Sequence, residues 1–393
     1  MPSPHQHSKS TEPQRARSGG KVLPLATASV AVVLIGVAVA AYALHDSSQR
    51  AAASPTSTAV HAVEASAHEG PLAVTTVTPT SGATSVPTDA TLSVQFSGPL
   101  SPTSPAPSLT PPVAGAWREM TPETFAFVAS APLVPSATET ITVPGGAGGV
   151  TGADGKVLAH SVTATFSVAA GSTLRLQQLL AQLGYLPVAF TPARPLSAPQ
   201  EAAQDQEGTF AWRWTEPTSL VSLWTAGSAN TVTTGAVMAF ESQHNMKTDG
   251  VAGPAVWAQL LSDAAAGTVD ASPYNYVYVS KSLPETATVY SDGAEVYSTR
   301  ANTGVAGAPT ASGTFPVYLR YKVTTMSGTN PDGSKYVDPG IPWVSYFNGG
   351  DALHGFIRGS YGYPQSDGCV EMPPANAAVV WPLTPIGTLV TVS

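Results

Sequence analysis

At 393 residues, with 11% charged side chains and a net charge of −8, the chain has room for roughly two to four domains. It lacks the basic stripe that nucleic-acid binding requires. A single cysteine excludes an intrachain disulfide framework and leaves, in any exported part, a free thiol.

Residues 1–21 are polar and carry Lys9, Arg15, Arg17 and Lys21 against Glu12 alone. The run 22–44 is uncharged. As a helix it would span about 34 Å, enough for a hydrocarbon core of about 30 Å. Basic residues before the span place the N-terminus in the cytoplasm and the rest of the chain outside, with the membrane as a partner. The alternative is a signal peptide cleaved after Ala41-Tyr42-Ala43; the length of the apolar run favours an uncleaved anchor. Residues 45–70, rich in Ala, Ser, Thr and His without periodicity, read as a flexible tether.

From 71 to 169, short alternating runs broken by Pro and Gly predict half-buried strands at 92–96, 125–128, 139–143 and 162–166, the pattern of a β-sandwich. Pro79-Thr80-Ser81-Gly82, Val86-Pro87 and Phe96-Ser97 make this stretch similar to a bacterial Ig-like domain. It carries no cluster of titratable residues and reads as a spacer.

Residues 172–262 change period. Leu174, Leu176, Leu179, Leu180 and Leu183 mark an amphipathic helix that stops at Gly184. Two more helices are predicted at 236–244 and 255–261. Gln177-Gln178-Leu179, Leu183-Gly184-Tyr185 and Asp249-Gly250-Val251, followed by Gly253-Pro254 and Trp257, resemble the three-helix peptidoglycan-binding module. It is interrupted by an insertion at 187–231 whose Trp212, Trp214 and Trp224 are expected to pack against a neighbouring domain rather than stack on glycan.

The last segment, 273–393, opens on an alternating strand at 274–279. A hairpin turning at Ser291-Asp292-Gly293 follows, then strands at 314–321, 343–347 and 387–392. The alternation fades across 322–337, which contains Asn330-Pro331-Asp332-Gly333 and reads as a mobile loop.

This segment holds the only cysteine, Cys369, after Ser366-Asp367-Gly368, and one histidine, His354, the only one of eight beyond residue 245. A lone cysteine is commonly a small buried hydrophobe and a lone histidine a structural residue. A polar Ser-Asp-Gly turn, however, is a poor core environment and suits an exposed thiol with backbone N–H groups beside it. A thiol nucleophile needs a base, and His354 is the candidate. One Cys and one His do not make a metal site.

His354-Gly355, Ser366, Gly368-Cys369 and Val370, together with the upstream Pro309-Thr310-Ala311-Ser312-Gly313-Thr314-Phe315-Pro316-Val317, resemble the L,D-transpeptidase family of peptidoglycan-cross-linking cysteine enzymes. Asp367 stands where the family usually has a second histidine, and Glu371 where it usually has Arg or Asn. Taken with the preceding segments, this predicts a multidomain, mainly β chain: transmembrane helix, Ig-like β-sandwich, small α-helical peptidoglycan-binding domain and C-terminal β-sandwich catalytic domain. The resemblance implies acyl transfer from a tetrapeptide stem to a diamino-acid acceptor, giving 3→3 cross-links through a Cys369 thioester, with carbapenems as covalent inhibitors and no cofactor. His354 would be the base, oriented by the carbonyl of Gly355. Gly368 and Cys369 would offer oxyanion-hole N–H groups. Tyr346, Arg358, Ser366 and Asp367 are the candidate substrate-binding residues, and a loop in the place of 322–337 would lid the groove. An L,D-carboxypeptidase using the same Cys/His pair, and a non-catalytic wall-binding protein with a decayed site, are the alternatives.

Overall fold

The computed structural model describes residues 70–393, so the anchor expected at 22–44 and the tether up to residue 69 lie outside the described residues. Among the described residues no helix is long and apolar enough to cross a membrane.

The alternation of Val, Leu and Phe with Thr and Ser in the first segment produces strands with one buried face. β1 (Val74–Thr78), β2 (Leu92–Phe96), β3 (Ser108–Thr110), β4 (Gly115–Thr121), β5 (Thr124–Ala129), β6 (Thr138–Val143) and β7 (Val162–Ser167) form two antiparallel sheets, in orders β1-β2-β5-β4 and β3-β6-β7. Leu92, Val94, Phe96, Ile141, Val143 and Phe166 fill the space between them. Each such burial contributes about 1.5–3 kcal/mol.

The helical segment starts with α1 (Thr173–Gln182), capped by Ser172, whose hydroxyl accepts from the Arg175 N–H. It ends where Gly184 adopts φ +90°. There the Gly184 and Tyr185 N–H groups donate back to the Ala181 and Leu180 carbonyls, a turn that a residue with a β-carbon reaches at a cost. The insertion is ordered. It holds a hairpin of β8 (Val188–Pro192) and β9 (Gly208–Trp212) and a one-turn helix, α2 (Thr218–Val221). Two buried glutamines of α1 pin it. The Gln177 amide donates to the Thr225 and Ser228 carbonyls and accepts from the Gly227 N–H, and the Gln178 amide donates to the Gln206 carbonyl and accepts from its N–H. These glutamines are therefore spent on structure. Trp224 packs edge-on against Phe210, and the Cβ of Trp214 leaves no room for a side chain at Gly293 in the C-terminal segment.

α3 (Thr231–Gln243) and α4 (Pro254–Ala266) complete this segment. Both helices are longer than the sequence pattern indicates. α3 begins where Asn230 accepts from the Thr233 N–H, and α4 runs on to Gly267 in the left-handed region at φ +67°. Their core is continuous with the C-terminal segment, since Leu179, Phe240, Trp257 and Leu260 share it with Tyr276 and Leu389. Gly235 of α3 comes so near the Gly387 carbonyl that an added β-carbon would sit 2.6 Å from its oxygen.

In the C-terminal segment, β10 (Asn275–Ser280), β11 (Thr286–Ser291), β12 (Ala294–Arg300), β13 (Gly313–Pro316), β14 (Leu319–Thr329), β15 (Lys335–Asn348), β16 (Asp351–Gly355), β17 (Val370–Met372), α5 (Pro374–Val380) and β18 (Leu389–Val392) follow in order. They build a five-stranded sheet, β12-β11-β10-β18-β13, and a four-stranded one, β14-β15-β16-β17. Val277, Val289, Val390 and Val392 of the first sheet meet Phe347, Leu353, Val370 and Met372 of the second. The described chain is thus multidomain and mainly β.

The stretch 322–337 is not a loop. β14 and β15 pair from Leu319 opposite Tyr346 out to Thr329 opposite Lys335, with one register shift between Thr324 and Met326, and only 330–334 turn. One face of the ribbon is half-buried through Thr324, Met326 and Gly328, but these are mostly small or polar and give almost no hydrophobic alternation in the sequence, so interstrand backbone hydrogen bonds contribute more than burial to holding it.

Candidate active site

The four-stranded sheet brings His354 and Cys369 together by register. β16 and β17 run parallel with Leu353 opposite Val370 and His354 opposite Glu371. Because side chains alternate between faces, Leu353, Val370 and Met372 point into the core. His354 and Glu371 point to the other face, along with Cys369 at the mouth of β17. There they line a cavity of about 190 Å³ together with Met326, Asn330, Tyr336, Asp338 and Ile341 of the β14–β15 ribbon.

His354 is 1% exposed. Its Nδ1 lies 3.1 Å from the Gly355 carbonyl oxygen. A carbonyl can only accept, so Nδ1 carries the proton and Nε2 keeps a lone pair. Nε2 has no partner among the described residues. Burial lowers the pKa of the ring despite the Gly355 bond and Glu371, which favour the imidazolium. The half-buried Cys369 thiol donates to the Gly350 carbonyl at 3.6 Å. Burial pushes its pKa up to about 12; the Ala352 N–H favours thiolate, whereas the carboxylates of Asp351, Glu371 and Asp367 oppose it. The resting pair is neutral, so the proton must leave sulfur for Nε2 as a substrate carbonyl arrives.

The turn carrying Cys369 is clamped from beneath. Asn302 and Glu371 exchange two backbone hydrogen bonds, and the Gln365 and Ser366 N–H groups donate to the Thr303 carbonyl. Thr303 is held by the buried Glu285, which accepts from its N–H at 2.6 Å and its hydroxyl at 2.7 Å. The Ser366 hydroxyl donates to the Cys369 carbonyl at 2.5 Å, so it braces the turn. Gly368 sits at φ +109°, and a β-carbon there would lie 2.7 Å from Oδ1 of Asp351. Gly355 is tight for a different reason, because its β-carbon would meet the Pro374 backbone at 2.9 Å.

Arg358 is committed to Glu371. Its Nε and Nη2 donate to the two carboxylate oxygens at 2.8 and 2.7 Å, and the guanidinium lies over the Phe356 ring. The acidic departure at 371 is therefore neutralised by a cation from the loop after β16, and both side chains remain at the cavity wall. Asp367 is exposed at its mouth. Tyr346 does not line the cavity; it packs with Tyr321 of β14 and with Tyr318 just before that strand.

Sequence reasoning passed over Tyr336, Asp338, Asp351 and Glu285. The first two lie in or beside the run read as a loop, and Glu285 has no local signal. Asp351 could have been noticed as the acid in a Gly-Gly-Asp turn three residues before His354. Its Oδ2 accepts from the Ala311 N–H at 3.1 Å and the Asn348 amide at 3.3 Å, and it opposes Cys369 ionisation more than Glu371 or Asp367 does. Asp351→Asn keeps an acceptor oxygen while removing the charge. It is expected to move the lower limb of the pH profile for Cys369 alkylation by iodoacetamide to lower pH. An unmoved limb would show that the Asp351 charge is screened from sulfur.

Residues 274–392 match the family model of the L,D-transpeptidase catalytic domain. The C-terminal segment is an L,D-transpeptidase catalytic domain. Residues 68–168 match the model of a bacterial Ig-like domain. No curated protein matches the chain. Among solved structures, an L,D-transpeptidase from Mycobacterium smegmatis is 15% identical, covering 82% of this chain and 100% of its own, with a TM-score of 0.28. L,D-transpeptidase 3 from Mycobacterium tuberculosis is 14% identical over 82% of this chain and 98% of its own, also at 0.28. The catalytic domain of an E. faecium L,D-transpeptidase is 26% identical over 30% of this chain and 96% of its own, again at 0.28.

Proposed function

We propose that this chain is a cell-wall L,D-transpeptidase that forms 3→3 peptidoglycan cross-links through a Cys369 thioester. The observation that carries the reading is the unpartnered Nε2 of buried His354, facing the same small cavity as the Cys369 thiol inside a domain of this family. In the first half-reaction the thiol proton passes to Nε2 while sulfur attacks the carbonyl joining the third, diamino residue of a tetrapeptide stem to its terminal D-alanine. The C–N bond breaks and the imidazolium returns the proton to the leaving amine. The Gly368 and Cys369 N–H groups would hold the oxyanion, a contribution of about 3–4 kcal/mol in comparable sites. In the second half-reaction an amine of another stem forms a C–N bond as the C–S bond breaks.

The surrounding parts fit this role. Residues 22–44 would anchor the N-terminus with the catalytic domain outside the membrane, the Ig-like domain would hold the enzyme off the lipid, and residues 172–262 would add affinity for peptidoglycan. Incubating the purified full-length chain with a tetrapeptide donor and reading products by mass spectrometry tests the reaction. A cross-linked dimer is expected. A tripeptide alone would assign a carboxypeptidase, and unchanged substrate would leave a wall-binding protein. A carbapenem is expected to add its mass to Cys369.

A further inference from the structure

Two carboxylates at the cavity have no partner among the described residues. Asp338 belongs to β15 of the ribbon and Asp367 to the nucleophile turn, so two separate elements contribute them to the lining of one space. Both act on the same neighbours, raising the pKa of Tyr336, behind burial and Cys369, and that of Arg358, behind Glu371. Arg358 does not cancel them, because its fork is satisfied by Glu371. The cavity therefore carries an uncompensated double negative charge beside a buried imidazole nitrogen that is itself without a partner.

We propose that Asp338 and Asp367 form the subsite that receives the primary ammonium group of the acceptor stem and select that amine over water in the second half-reaction. The inference rests on the transferase reading above. A cation placed between ribbon and turn satisfies both carboxylates and ties the two elements together, whereas neutral water gains a hydrogen bond but no ion pair. Met326 and Ile341 make part of the lining apolar, which strengthens charge attraction there relative to open solvent. The acceptor enters as R–NH3⁺ and loses one proton to solvent to become nucleophilic. As its nitrogen bonds to the thioester carbon and the C–S bond breaks, the second proton passes through Nε2 of His354 to the departing sulfur. The products are the new amide, the Cys369 thiol and one released proton. Asp367, standing where the family usually carries a histidine, thus acts on acceptor choice.

The test is the partition of one acyl-enzyme between amine and water, measured with the full-length chain, a tetrapeptide donor and increasing concentrations of a stem peptide bearing a free side-chain amine. In the double variant Asp338→Asn/Asp367→Asn the ratio of cross-linked to hydrolysed product at subsaturating acceptor is expected to fall about tenfold, through a higher apparent KM for the acceptor. An unchanged ratio overturns the proposal. A second measurement needs no variant: raising salt from about 50 to about 500 mM should lower the wild-type ratio severalfold by screening the carboxylates, and a salt-independent ratio overturns the proposal as well. Failure of the underlying reading is separate, since the wild-type chain would then show no acyl-enzyme by mass spectrometry.

Discussion

Cys369→Ala is expected to abolish covalent adduct formation with a tetrapeptide donor or a carbapenem and to lower cross-linking by at least about a thousandfold, while the protein still unfolds cooperatively. The thiol makes one long hydrogen bond, to the Gly350 carbonyl at 3.6 Å, and is only half-buried at the edge of a minor cluster with Ile341, Val344 and Ala352. Losing one sulfur atom from such a place costs about 1 kcal/mol. The turn itself is held by Ser366, Thr303 and Asn302 and not by sulfur. Mass spectrometry of the intact variant after incubation, beside its thermal transition, checks both parts. A variant that keeps its adduct would remove Cys369 as the nucleophile, and one that loses its transition would make it a core residue.

The second large effect is expected at the pair beneath the site. Arg358→Met leaves the Glu371 carboxylate, whose side chain is 5% exposed, without its cation. Breaking a buried pair from one side costs about 3–5 kcal/mol, and the lower end applies because the guanidinium is one-third exposed. Replacing both partners, Arg358→Met with Glu371→Gln, removes the stranded charge and should recover more than about 1 kcal/mol of that loss. Urea midpoints of the wild type, both single variants and the double variant close the cycle. A double variant that loses the sum of the two single losses would show that the pair is not coupled and that Glu371 finds another partner.

Several features are legible in the amino-acid sequence. Strands at 92–96, 139–143 and 162–166 follow from strict alternation, and the end of α1 from Gly184, because both signals are local: a side-chain period and a backbone angle. Cys369 and His354 can be paired because no other cysteine exists and no other histidine lies in that third of the chain. The character of the turn before Cys369 is readable from Ser366, Asp367 and Gly368.

What the chain does not disclose along its length is what depends on register and on partners far apart in sequence. The run 322–337 reads as a loop because the half-buried face of the ribbon is built largely from Thr, Gly and Asp and carries no hydrophobic period, yet the β14–β15 pairing brings Tyr336 and Asp338 to the cavity. Arg358 and Glu371 are thirteen residues apart and read separately as a candidate substrate contact and an anomaly; the β16–β17 ladder makes them one neutral unit. Gln177 and Gln178 look like part of a motif, and only the folded insertion shows what they bind. Composition and local pattern by themselves determined where β and helical segments alternate and which thiol is available, and the motifs around His354 and Cys369 carry the resemblance to L,D-transpeptidases. The tertiary structure alone decided which charges surround that thiol, because distance in space is set by strand pairing, and electrostatic coupling falls with that distance and not with separation along the chain.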